Sequence, residues 1–120
     1  MPELPDITLY VEALEDRARA ATLERIRIAN PFLLRSVDPS PEACEGKKVR
    51  AIRRLGKRIV FALEDELFVV LHLMIPGRLQ WKPKGTKPPA RVGLAALDFT
   101  TGAAILTEQG SKRRASLFIV

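Results

Sequence analysis

Apolar positions along the chain follow two periods. Near the start, Ile7, Val11, Leu14 and Ala18 recur at three- and four-residue spacing, the period of a helix with one buried face. Pro5 and Asp6 mark its first turn, where a missing N–H costs nothing and an acid meets the positive end of the helix dipole. The pattern predicts a helix over residues 5–20. Beyond it the period shortens to two. Residues 23–29 alternate, 49–53 alternate imperfectly, and 58–63 and 67–73 are apolar runs on either side of the acidic turn Glu64, Asp65, Glu66. Residues 92–99 and 103–107 flank Thr100, Thr101 and Gly102 in the same way, so two hairpins are expected. Three prolines, three lysines and a glycine fill 82–89, which reads as a loop. One helix followed by seven or eight short strands predicts a mostly β fold: a two-sheet β-sandwich, or flattened barrel, with an N-terminal α-helix. The last residues, 117–120, are apolar, which suggests a domain cut from a longer protein.

Composition narrows the class. The chain has 120 residues, 47% of them hydrophobic, enough for one domain with one core and too apolar for a disordered tail. No apolar run reaches the roughly 20 residues of a membrane span, and no basic stretch precedes an apolar core at the start, so neither a membrane span nor a signal peptide is expected. The single cysteine, Cys44, supports neither an internal disulfide nor a zinc site. The simple expectation is a reducing cytosol. A net charge of +6 and a pI near 10.0 favour a polyanionic partner: nucleic acid, anionic membrane or acidic protein. A merely solvated cationic face gives the same numbers.

Four stretches could carry chemistry. If Met1 is removed, Pro2 begins the chain with a secondary amine, and Glu3 stands beside it. Such an amine can attack an electrophilic carbon such as a sugar C1′, giving an iminium with no N–H to lose, while a carboxyl group protonates the departing oxygen. Proline and glutamate are also ordinary surface residues. Residues 47–58 place seven basic side chains in twelve positions with no acid among them. Leu55 and Gly56 allow a bend there, and Lys57 opens the next strand, within reach of a phosphate. His72, the one histidine, lies in an apolar strand and reads either as a core residue or as a phosphate donor at a strand end. Met74 and Ile75, before Pro76 and Gly77, are core or a wedge into a base stack. Residues 110–116 set Lys112, Arg113 and Arg114 among small residues, a loop with reach or a plain basic hairpin tip.

Taken together and in this order, these pieces resemble the N-terminal domain of the formamidopyrimidine-DNA glycosylase / endonuclease VIII family. Pro2 through Asp6 resemble its opening, Leu55 through Arg58 its lysine turn, His72 and Leu73 with Gly77 and Leu79 its histidine hairpin, and Lys112, Arg113 and Arg114 its arginine probe loop. The resemblance implies base excision followed by strand cleavage at the abasic site. Pro2 would be the Schiff-base nucleophile, Glu3 the acid, Lys57 and His72 the holders of phosphates around a flipped nucleotide, and Arg113 and Arg114 DNA contacts, with Arg113 probing the widowed base. Ile75 stands where the family has a gap-filling methionine, and Ala115 where it has a phenylalanine wedge. The family's helix–two-turn–helix domain and zinc finger have no counterpart in these 120 residues, so zinc would be bound elsewhere and no residue here reads as a metal ligand. The implied partner is damaged double-stranded DNA, without membrane, for a cytoplasmic, nucleoid-associated monomer whose single domain is weak or inactive alone. The alternatives are a non-catalytic nucleic-acid-binding module and an adaptor for acidic proteins.

Overall fold

The computed structural model describes residues 4–73, 77–109 and 115–120. Helix α1, Leu4–Ala18, buries the stripe expected of it: Ile7, Val11, Leu14 and Ala18 are all at most 7% exposed. It stops two residues short of the expected end. Ala20 adopts φ 66° and its N–H donates to Val49 O at 3.2 Å, so the chain leaves the helix to join a strand. Val49 N donates back to Ala21 O at 2.8 Å.

Eight strands follow among the described residues: β1 Thr22–Ile28, β2 Lys47–Leu55, β3 Arg58–Leu63, β4 Phe68–His72, β5 Gly77–Lys82, β6 Gly93–Phe99, β7 Gly102–Glu108 and β8 Ser116–Ile119. They form one antiparallel sheet in the order β5-β7-β6-β1-β2-β3-β4-β8. The expected loop over 82–89 starts one residue late, because Lys82 still pairs with Ala103. The expected acidic turn is the single 3-10 turn Glu64–Glu66, with positive φ at Asp65 and Glu66.

The sheet is nearly cut in two. β1 and β2 share only the pairs Thr22↔Lys48 and Leu23↔Lys47. About this narrow junction the half β5-β7-β6-β1 folds over the half β2-β3-β4-β8. Phe61 of β3 stacks on Phe99 of β6 with ring centroids 5.9 Å apart, and Trp81 of β5 stacks on Phe99 at 5.8 Å. Burial of a large side chain such as these is worth about 1.5–3 kcal/mol. Gly102 makes room for the stack: a Cβ there would lie 2.5 Å from the Trp81 ring. The sandwich expectation therefore holds, and the sheet does not close, leaving β5 and β8 as its two edges.

Helix α1 lies against β2 and β3 and meets Leu79, Gln80 and Trp81 of β5 through Tyr10, Ala13, Leu14 and Arg17. On the outer face of the other half, Arg27 grips buried Asp98 with Nε and Nη2 at 2.7 and 2.9 Å and donates from Nη2 to Thr86 O at 2.6 Å. That clamp fixes the loop after β5 and accounts for Asp98 as a structural acid.

Candidate nucleic-acid interface

The run 47–58, cationic throughout in sequence, is not one patch in space. Its first lysine is answered: Lys47 Nζ forms an ion pair with Asp65, which raises the Lys47 pKa chiefly through that hydrogen bond. Lys48 N donates to Glu64 Oε1 at 2.7 Å. Both acids belong to the turn before β4, which the β2–β3 hairpin brings back to the start of β2. Arg53, Arg54, Lys57 and Arg58 lie toward the far end of β2, whose last residue is about 26 Å from Lys47 at some 3.3 Å per residue.

That far end is a built turn. Gly56 adopts φ +62°, a conformation open to glycine without penalty, and Arg54 Nη1 donates to Gly56 O at 2.8 Å. Lys57 is the second turn residue rather than the first of β3, and its side chain is exposed. Next to it one row of partners crosses the whole half-sheet: Leu55↔Arg58, Arg58↔His72 and His72↔Ser116. Strand spacing puts Arg58 and Ser116 about 10 Å apart with His72 between them.

His72 is half-buried at this strand end. Burial first, then the charges of Arg58 and Lys57, push its pKa below the ordinary 6.5. The ring is therefore neutral at pH 7, with one N–H to give and one nitrogen to accept. His72 thus stands at a strand end with Arg58 and Lys57 as cationic neighbours.

Two further connections converge here. The chain leaves at Leu73 and returns at Gly77, which pairs with Glu108; it leaves again at Gln109 and returns at Ala115, beside Ser116. Glu108 closes the base of the second connection. Its carboxylate is fully buried and accepts from Ala115 N through Oε2 and Oε1 at 3.1 and 3.3 Å. Sequence reasoning passed over Glu108; the available signal was a lone acid ending an apolar strand just before a basic, glycine-bearing segment. Ala115 is 2% exposed, so it is packed at the root of this connection and offers no wedge.

Lys57 and His72 are thus brought together. Pro2, Glu3, Ile75, Arg113 and Arg114 lie outside the described residues. Among the described residues no group of three or more His, Cys, Asp or Glu side chains could hold a metal ion. Cys44 is buried, and burial raises its thiol pKa, so it does not suit a zinc thiolate. No helix among the described residues is long and apolar enough to cross a membrane.

Comparison with known proteins gives one consistent picture. Residues 1–115 match the family described as the formamidopyrimidine-DNA glycosylase N-terminal domain. A formamidopyrimidine-DNA glycosylase of Mycoplasmopsis pulmonis is 32% identical over 91 residues, covering 72% of this chain and 33% of that protein. One of Variovorax paradoxus is 33% identical over 81 residues, covering 68% of this chain and 29% of that protein. The chain thus spans about a third of the length of these relatives. Among solved structures, a complex between Lactococcus lactis Fpg and DNA containing an abasic site superimposes with a TM-score of 0.86 at 19% identity, covering 99% of this chain and 44% of that one.

Proposed function

Because this chain belongs to the formamidopyrimidine-DNA glycosylase N-terminal domain family, we propose that it is the nucleophile-bearing part of a bifunctional DNA glycosylase/AP lyase of base-excision repair. Once Met1 is removed, the amine of Pro2 attacks C1′ of a damaged nucleotide as the base departs. Glu3 protonates the sugar ring oxygen, and the ring opens to an iminium on the proline nitrogen. That cation draws electrons from the C2′–H bond. Loss of the C2′ proton expels the 3′ phosphate and cuts the strand.

The observation that carries this reading is the convergence of Lys57, Arg58, His72 and the ends of both loop connections at one edge of the half-sheet. Lys57 supplies an exposed charge to a phosphate, and neutral His72 supplies a hydrogen bond beside it. Helix α1 supports the placement of Pro2. Its C-terminal end is tied to Val49 at the start of β2, and its 15 residues run about 22 Å along β2 and β3. Its first turn lies up to about 22 Å from that tie, comparable with the length of β2. Arg113, Arg114 and Ile75 serve, on the family resemblance, as contacts to the opposite strand and the vacated stack. The protein acts as a monomer on damaged double-stranded DNA in the nucleoid.

A non-catalytic nucleic-acid-binding module is the second reading, favoured by buried Ala115 at the place of the family's wedge. Borohydride reduction of the intact, methionine-free gene product on abasic-site DNA separates the two. The lyase leaves a covalent protein–DNA adduct; a module that only binds leaves none while retaining affinity.

A further inference from the structure

The segment between β1 and β2 has no part in the roles above, yet it holds an aromatic ring out at the same end of the molecule. Phe32 is 75% exposed, while its neighbour Leu33 is 2% exposed. An exposed phenylalanine is not unusual in itself; this one is rigidly mounted. Pro31 opens a single 3-10 turn, and Asn30 Oδ1 accepts from Phe32 N at 3.0 Å. Leu33 N donates to Asn30 O at 3.0 Å, and Arg35 Nε donates to Phe32 O at 2.6 Å.

Both sides of the turn are anchored near the interface. Ala29 N and Asn30 N donate to Leu94 O at 2.8 and 3.0 Å, close to where Glu108 N donates to Val92 O at 2.9 Å. On the other side Leu34 bridges to Leu117 in parallel, and Arg35 N donates to Leu117 O at 2.9 Å. A parallel bridge puts the residues before Leu34 alongside those before Leu117, which are Ser116 and Ala115. Ser116 is the partner of His72. Phe32 therefore lies alongside Ala115, past the edge of β8 and one residue off the row of Arg58, His72 and Ser116, with its carbonyl held by Arg35.

We infer that Phe32 is a stacking contact for a nucleobase of the DNA strand held by Lys57, Arg58 and His72. The inference rests on the proposed DNA reading. It adds an apolar, sequence-tolerant contact to a surface otherwise made of phosphate contacts, and the two kinds of contact have different salt signatures. Stacking releases no counterion, whereas each phosphate contact steepens the salt dependence.

Fluorescence anisotropy of the intact gene product on abasic-site duplex, across about 50–200 mM salt, tests it. Phe32→Ala is expected to weaken binding roughly 5- to 100-fold with an unchanged slope of log K against log salt. Phe32→Trp should keep the affinity, with quenching of the new indole on binding, and Phe32→Leu should not. Lys57→Ala should lower both affinity and slope, the slope by about one. If Lys57→Ala behaves so and Phe32→Ala binds like the parent, the stacking inference is overturned while the DNA reading stands. If Lys57→Ala changes neither quantity, the DNA reading itself fails. Thermal melting completes the test: an exposed ring predicts an unshifted Tm for Phe32→Ala, and a lowered Tm with no rescue by tryptophan would make the ring structural and overturn the inference.

Discussion

The two ends of β2 carry similar side chains to different purposes. At one end Lys47 pairs with Asp65 across the hairpin while the Lys48 backbone N–H donates to Glu64, so the Lys47 charge is spent inside the protein. At the other, Lys57 and Arg58 flank His72, and among the described residues neither cation forms an ion pair. A count of positive charges treats the ends alike. Register separates them: a basic residue is available to a polyanion only where folding has not already supplied its acid.

The sharpest way to break this comparison is to truncate one lysine from each end. Lys57→Ala should slow single-turnover cleavage by the intact gene product on the order of 10- to 100-fold, the loss of a charge-assisted contact of about 1.5–3 kcal/mol. Lys47→Ala should leave the rate nearly unchanged, because its charge is already engaged by Asp65. Equal losses would erase the distinction.

Glu108 tests whether the far end is a built structure. Glu108→Ala leaves the buried Ala115 N–H without its acceptor, at a cost of about 1–3 kcal/mol. Glu108→Gln keeps an oxygen in place and should recover most of that. Urea denaturation of the two variants gives the difference directly, and loss of DNA binding should accompany the alanine variant more than the glutamine one.

Much of this fold is legible in the sequence because its signals are local. The helical stripe of Ile7, Val11, Leu14 and Ala18 and the turns at Gly56 and at Thr100–Thr101 are written in adjacent residues. β5 is harder to read, since Leu79 and Trp81 are the only apolar positions in a stretch with Arg78, Gln80 and Lys82. The fold-over at the β1–β2 junction has no local mark at all: Phe61 and Phe99 meet only after the sheet bends. The same holds for the interface. Lys57 and His72 are each suggested by their neighbours, but their shared row with Ser116, the Lys47–Asp65 pair and the burial of Glu108 and Ala115 come from register, which no short window contains.

His72 gives a smaller, pH-dependent effect. Its pKa in the free protein lies below 6.5, through burial and then Arg58 and Lys57. A phosphate beside the ring stabilises the imidazolium and raises the pKa in the complex. Binding therefore takes up a proton in the window between the two values. Affinity should rise as pH falls through that window and level off below the free-state pKa, within about tenfold in total. In His72→Gln the pH dependence between about 5 and 7 should be gone; if it persists, another group titrates. Asp65→Asn should have the least effect of all, an unmoved Tm and unchanged DNA binding, since it unties a surface pair at the end of β2 away from Lys57.

The central claim is that a terminal amine reacts at the Lys57–His72 end, and one measurement bears on it most directly. Borohydride-trapped adduct on abasic-site DNA is compared between protein processed to Pro2 and protein with one glycine added ahead of Pro2, with circular dichroism as the folding control. The added residue turns the amine into an amide with no basic lone pair. The account predicts that trapping falls by several powers of ten with an unchanged spectrum. Trapping at the parent rate would contradict it and move the nucleophile to a lysine, with Lys57 first in line.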